Sequence, residues 1–333
     1  MRMLFLAALI CCYQLSLWAQ EEVEALMQAL PAAPQVAPDA IDPSKESWQD
    51  FAPGIRFRTG AVLLPATVLY DQGPTDGLEV LACLPGGKTH EALLQLDVDN
   101  GTALKAALIA LLDLPGDGLP SAEGSGQPPR GHPLQVRLRW KPEPLLEPDT
   151  ILETDLSRLV RNRLFDRGYP CLPFVYTGSR IENMPVSLPG EEEPRWQQRF
   201  MLDVTRSVIT NFNEANALLA SPYPLAAWDQ IFEVNTAIRP PPADGRAELI
   251  ISRAELPLIL EATADHRLAL DGMPLSDEAL QALLARRYAQ AELQAVGITP
   301  HADLDRSADL ILQEYLLQQA AIAKLWLVPI FLP

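Results

Sequence analysis

The sequence predicts an α+β fold: a β-rich N-terminal domain with one or two helices, followed by a small β-β-α-β-α-β α+β domain. Three observations predict it. Residues 134–140 (LQVRLRW) alternate strictly, with Leu134, Val136, Leu138 and Trp140 on one face and Gln135, Arg137 and Arg139 on the other, as a half-buried strand does. Two later stretches, beginning near Ser276 and Ser307, repeat apolar residues at helical spacing. Between these patterns, IRPPPADGR (238–246) breaks the chain with prolines and reads as a domain boundary.

Composition sets the outer bounds. The chain has 333 residues, 48% hydrophobic and 21% charged, enough apolar material for about two domains. Its 31 prolines favour long ordered loops over a helical bundle. The net charge of −17 argues against nucleic acid, whose phosphates need clustered Lys and Arg, and against anionic membrane surfaces.

Residues 1–19 (MRMLFLAALICCYQLSLWA) read as a secretory signal peptide: Arg2, then an apolar run from Met3 to Trp18, then Ala19 before an acidic start at Gln20-Glu21-Glu22. An uncleaved N-terminal membrane anchor is the alternative. Cleavage would leave no later stretch able to span a bilayer. Residues 20–50, rich in Pro, Ala and acid, read as an exposed tether.

Residues 61–70 (AVLLPATVLY) and 78–84 (LEVLACL) read as two strands joined by DQGPTDG as a hairpin, with Pro65 marking an edge or a bulge. A Gly-rich turn, PGGKTHE (85–91), leads into the next apolar segment. Asn100 caps a helix carrying Leu104, Ala107, Leu108, Leu111 and Leu112 on one face, which Pro115 and Gly116 stop. Residues 150–166 read as a short helix, LPFVYTGSRIE as a strand and RFMLDVTRSVIT as another. In the last segment AELIISRAELPLILEATADHRLALDG reads as strand, turn, strand. Ser276 caps a helix with Leu280, Leu283, Leu284 and Tyr288 on one face. A strand, a second helix and the closing strand KLWLVPIF come after it.

Two resemblances rest on particular residues. Residues 51–242, from about Ile55 onward, resemble the YdjY domain family of bacterial exported proteins. LACLPGGKTHEALL (81–94), the helix after Asn100, FVYTGSR (174–180) and DVTRSVITNFNEANALLASPYP (203–224) carry the likeness. That family has no established activity, so the resemblance implies a module and no reaction. Residues 247–333 resemble the periplasmic domain of ExbD/TolR-type proteins, through LALDGMPLSDEALQALL (268–284) and ITPHADLDRSADLILQEYLLQQAAIAKLWLV (298–328). Those proteins serve ion-driven envelope motors through an essential membrane Asp. Residues 3–18 contain no acid, so what the resemblance implies is the self-associating or partner-binding part alone.

The densest cluster of reactive groups is the PGGKTHE turn, with Gly86, Gly87, Lys88, His90 and Glu91 as candidate ligand or partner contacts. It is not a P-loop, since Ala82 stands where the first glycine belongs. Nor is it a zinc-protease helix, since Leu94 replaces the second histidine. A turn held by local hydrogen bonds is the plainer reading. His132, His266 and His301 lack metal-ligand spacing, and His301-Ala302-Asp303 reads as a solvated turn before a helix. Ser179 has no histidine near it in sequence, and Glu191-Glu192-Glu193 reads as an exposed loop. The sequence thus yields no catalytic residue, no metal site and no cofactor motif. Cys83 and Cys171, the two cysteines beyond the leader, leave two readings open: a disulfide, or separate buried thiols.

The expectation is therefore an exported protein in the periplasm of a Gram-negative-type bacterium, noncatalytic, binding an envelope protein partner or itself through 247–333. The alternative is a periplasmic enzyme or small-ligand binder using the PGGKTHE turn.

Overall fold

The computed structural model describes residues 37–73, 77–120, 127–142, 150–163, 167–186, 195–211, 214–223 and 232–333. The signal peptide, most of the tether, part of the expected 71–77 turn and Glu191 to Glu193 lie outside them.

The strands up to the first helix are β1 (Asp39–Ile41), β2 (Gln49–Ala52), β3 (Ile55–Arg58), β4 (Ala61–Val68), β5 (Val80–Cys83) and β6 (Ala92–Leu96). Helix α1 (Gly101–Leu111) begins where the Asn100 side chain accepts from the Ala103 amide at 2.8 Å. Then come β7 (His132–Trp140), β8 (Ile151–Asp155), β9 (Val160–Asn162), β10 (Arg167–Gly168), β11 (Phe174–Tyr176), β12 (Ile181–Val186) and β13 (Arg195–Phe200). The short helix α2 (Met201–Thr205) precedes β14 (Ser207–Thr210), β15 (Leu219–Ala220), β16 (Phe232–Val234) and β17 (Arg246–Arg253). The chain finishes with β18 (Ile259–Ala262), β19 (Leu268–Leu270), β20 (Met273–Pro274), α3 (Asp277–Tyr288), β21 (Ala295–Thr299), α4 (Ser307–Ile322) and β22 (Val328–Phe331).

Eight of these strands close into a barrel. Around it run β17, β7, β11, β15, β14, β5, β6 and β4, and β4 pairs back onto β17. Two of the eight junctions are parallel, β14–β15 and β5–β6. An eight-stranded barrel leaves an interior that side chains alone can fill. Here Val62, Leu64 and Ala66 of β4, Leu94 of β6, Leu134, Val136 and Leu138 of β7, and Leu249 and Ile251 of β17 join one core and are essentially unexposed. Helix α1 adds Leu104, Ala107 and Leu108 to the same core.

This architecture overturns the predicted fold class. The protein is strand-dominated around a closed barrel, not α+β with an appended β-β-α-β-α-β unit. Strand 246–253, read as the opening strand of the C-terminal unit, is a barrel stave hydrogen-bonded along both edges. Beyond it the chain builds a five-stranded sheet in the order β20-β19-β18-β21-β22, reached as three strands, a helix, a strand, a helix and a strand. One side of that sheet packs on α3 and α4 through Leu260, Leu280, Leu284, Leu312, Leu316 and Phe331. Ala295, Trp326, Val328 and Ile330 instead join the barrel core. The buried Asp309 of α4 receives two hydrogen bonds from Arg130, each 2.7 Å, and the Gly131 amide donates to the Phe331 carbonyl at 2.9 Å.

Other local expectations change for the same reason, nonlocal pairing. β4 and β5 do not form a hairpin, because β6 lies between them. Pro65, which has no N–H to donate, sits where one edge of β4 passes from pairing β3 to pairing β6, so it costs no ladder bond on that edge. The segment at 150–166 contains β8 and β9 with a single 3-10 turn between them, not a helix. RFMLDVTRSVIT is split by α2, where Arg206 at φ 63° reverses the chain.

The described end of the tether is packed too. β1 pairs with β8, and residues 42–48 form a strap over the outer wall of the barrel. Trp48 covers Ala61, Leu63 and Ile250 there, and the Arg58 guanidinium lies over its ring at 4.9 Å. Glu46 is the fastening: it accepts from Arg139 at 2.5 and 2.9 Å and from the Trp48 indole at 3.2 Å, and is ion-paired with Arg58 at 2.9 Å.

Closure and strap can each be tested. A chain ending after Pro242 lacks β17 and should show no cooperative urea transition and no fixed near-UV dichroism, where the whole chain shows both. The Arg139 hydrogen bond holds the Glu46 carboxyl down at about 2, with Arg139 and Arg58 charges helping against its desolvation. A carboxyl depressed on folding stabilises above its unfolded value of 4.5 and loses that contribution as pH falls toward about 2. The melting-temperature advantage of the native chain over Glu46→Gln should be full at pH 6 and shrink across that acid window.

Candidate functional site

The PGGKTHE turn links β5 to its parallel neighbour β6. Gly86 takes the left-handed backbone at φ 79°, and the Gly87 amide closes the turn on the Leu84 carbonyl at 3.0 Å. A Cβ on Gly87 would stand 2.8 Å from Arg206 Cβ and 3.1 Å from Cys83 Cβ, so packing leaves room only for glycine. Thr89 to Glu91 form one 3-10 turn that carries the chain into β6.

The structure brings the five predicted residues together but spends their charge internally. Lys88 Nζ is 2.9 Å from Glu91 Oε1 and 3.7 Å from Glu214 Oε2. Desolvation, the largest single influence, pulls the Lys88 ammonium down. The Glu91 hydrogen bond and the Glu214, Glu91 and Glu79 charges outweigh it and raise the group overall. His90 is 76% exposed, with Nε2 3.9 Å from Glu91 Oε2, and among the described residues no other group is hydrogen-bonded or ion-paired to it. Glu214, in the segment after β14, is the member that sequence reasoning missed, since only the pairing of β14 with β5 brings it to the turn.

Cys83 and Cys171 do not pair; both are free buried thiols, the second of the two readings left open by the sequence. Cys83 packs with Val80 and Ala92, and its burial pushes the thiol up to about 11. Burial, together with the Asp155 charge and hydrogen bond, raises Cys171 further. Neither is a nucleophile at neutral pH. Cys171, Asp155 and Glu292 bring ligand-type atoms within 4.8 Å of one another, but Arg158 stands 3.4 Å from Glu292 and supplies the local positive charge.

The remaining sequence candidates are structural. Ser179 occupies a left-handed turn at φ 56° and donates to the Asn216 carbonyl at 2.6 Å. His301 Nδ1 accepts from the Asp303 amide at 3.2 Å, and Asp305 Oδ1 accepts from the Ser307 amide at 2.9 Å at the start of α4. Burial, with the Arg253 charge second, lowers His132. Among the described residues, no histidine is hydrogen-bonded to a serine, threonine or cysteine, so no nucleophile–base pair is assembled.

The feature that stands out is a two-stranded ribbon. β12 and β13 pair with each other alone, from Ile181 opposite Phe200 to Val186 opposite Arg195. Opposed residues of an antiparallel pair share a face. One face therefore carries Ile181, Asn183, Pro185, Trp196, Gln198 and Phe200. On it Ile181 is 66% exposed and Trp196 71% exposed. Glu182, Met184 and Val186 on the opposite face are half-buried. The root is fixed: the Met201 amide donates to the Arg180 carbonyl at 2.8 Å, and Lys105 Nζ lies 5.2 Å over the Phe200 ring. Sequence alternation suggests burial for apolar residues in strands, so it gave no sign that this face would be open.

Compared with protein-family models, curated proteins and solved structures, the chain matches none.

The packing of the turn is testable. Gly87→Ala should cost about 1–3 kcal/mol of unfolding free energy through overpacking against Cys83 and Arg206. His90→Ala should stay within about 0.5 kcal/mol, as an exposed substitution does. Urea denaturation of the two variants measures both.

Proposed function

We propose that the protein is an exported, noncatalytic interaction protein of the bacterial envelope, and that the open face of the β12–β13 ribbon receives its protein partner. The observation that carries this reading is that Trp196, paired with Pro185, shares one exposed face of a rooted ribbon with Ile181. An isolated two-stranded hairpin is marginal in water, and a large exposed aromatic on it is the residue type that dominates binding energy at interfaces. The leader-like N-terminus and the YdjY resemblance support the compartment. No helix among the described residues is long and apolar enough to cross a membrane.

The C-terminal unit is the competing contact, and one experiment separates the two. A photo-crosslinking amino acid is placed at 196, or at 322 on α4, where Ile322 is 61% exposed. Crosslinking is carried out in the envelope of the producing cell. The expected result is a discrete protein adduct from position 196 that Ile181→Ser weakens. An adduct from 322 alone, or none from 196, overturns the assignment to the ribbon.

A further inference from the structure

The ribbon of β12 and β13 has two outer edges, and they differ. β12 carries Pro185, which has no N–H to offer a further strand, and its Glu182, Met184 and Val186 are half-buried. β13 carries no proline, and its register with β12 runs without a bulge from Arg195 to Phe200. Arg195 to Arg199 are all exposed. Among the described residues, Trp196, Gln197, Gln198 and Arg199 make no backbone hydrogen bond except to β12. In an antiparallel pair, alternate residues point their N–H and C=O away from the partner strand. The outer edge of β13 is therefore a row of exposed donors and acceptors, with no strand against it and neither proline nor bulge to guard it.

The side chains of β13 define what kind of strand fits there. Successive residues alternate between the two faces. Trp196 and Gln198 lie on the open face, and Arg195, Gln197 and Arg199 on the other. The strand holds two arginines and no carboxylate. Glu182 lies opposite Arg199, but its carboxylate is paired with Arg180, and among the described residues Arg199 has no carboxylate partner. A second copy of β13 would bring more arginine and no acid to this edge, and like charges set opposite each other on a sheet are destabilising. A strand that alternates apolar and acidic residues suits both faces at once, because opposed residues of neighbouring strands share a face.

Resting on the reading that the ribbon receives the protein partner, we propose that the partner adds an extended segment along the outer edge of β13, with acidic side chains beside Arg195 and Arg199 and apolar ones beside Trp196. Main-chain hydrogen bonds hold the segment, and the alternating side chains select it. The added strand also relieves the marginal stability of a two-stranded ribbon.

The test uses the full chain and fluorescein-labelled peptides of about eight residues, within the usual length of a strand. One alternates valine with glutamate, a second alternates valine with lysine, and a third is the first with a central proline. Fluorescence anisotropy measures binding. The expected result is saturable binding of the valine–glutamate peptide alone, weakened about tenfold or more by Trp196→Ala and by Arg199→Glu. Arg199 faces away from Trp196, so a partner lying only on the open face would not register Arg199→Glu. Arg267→Glu, on the exposed surface of the C-terminal unit, should leave binding unchanged. Melting temperatures within about 2 °C of native show that the variants are folded. The proposal is overturned by no saturable binding up to about 1 mM, by equal binding of either control peptide, or by binding that Arg199→Glu leaves unchanged. If crosslinking from position 196 still yields its adduct in that case, the partner docks on the ribbon without adding a strand, which tells failure here from failure of the underlying reading.

Discussion

Strand β17 is held along both edges, by β4 over seven register pairs from Arg246–Thr67 to Ser252–Ala61 and by β7 over seven more. Everything else in the molecule is placed by that double ladder. It turns a curved sheet into a closed barrel, and closure removes the free edges that an open sheet must otherwise protect. It fixes which side chains of β4, β7 and β17 fill the interior and which form the outer wall. It also delivers the chain directly into the C-terminal sheet. That sheet is accordingly fastened to the barrel by shared core residues and by the Arg130–Asp309 pair, and does not hang from it on a linker.

Charge is arranged with the same economy. Although acids greatly outnumber bases, the outer wall of the barrel is rich in arginine, and most of those guanidiniums are neutralised by carboxylates from neighbouring strands or from the strap. Arg139 shows why this matters: a guanidinium that is 5% exposed would be costly alone, and Glu46 and Glu153 together satisfy it. The strap therefore belongs to the fold, because removing Glu46 would leave a buried cation short of an acceptor. The PGGKTHE turn obeys the same rule, with Lys88 shared between Glu91 and Glu214.

What could be read from the sequence was local. The alternation at 134–140 marked β7 and its inward face, and Asn100 and Ser276 marked the starts of α1 and α3, because capping and periodicity act within a few residues. The tight turn around Gly86 and Gly87 was legible for the same reason. Partners were not. Nothing in AVLLPATVLY says that it pairs with residues near 250 instead of with the next strand, since alternation gives a face and not a neighbour. The IRPPPADGR break looked like a boundary because prolines interrupt regular structure; here it is a loop leading into a stave. The open face of the ribbon was hidden for a different reason: the two strands are neighbours in the chain, but nothing local says that the rest of the molecule leaves one of their faces uncovered.

The late position of β17 has a temporal meaning. Arg56 and Glu248, which bond across the finished wall, are 192 residues apart, so the barrel cannot close until most of the chain exists. Closing so long a loop must precede the contacts that reward it, which slows barrel formation and leaves one edge each of β4 and β7 waiting for β17. During synthesis the barrel therefore stays open until Arg253, the end of β17, has emerged. The stave that arrives last sets the moment of commitment.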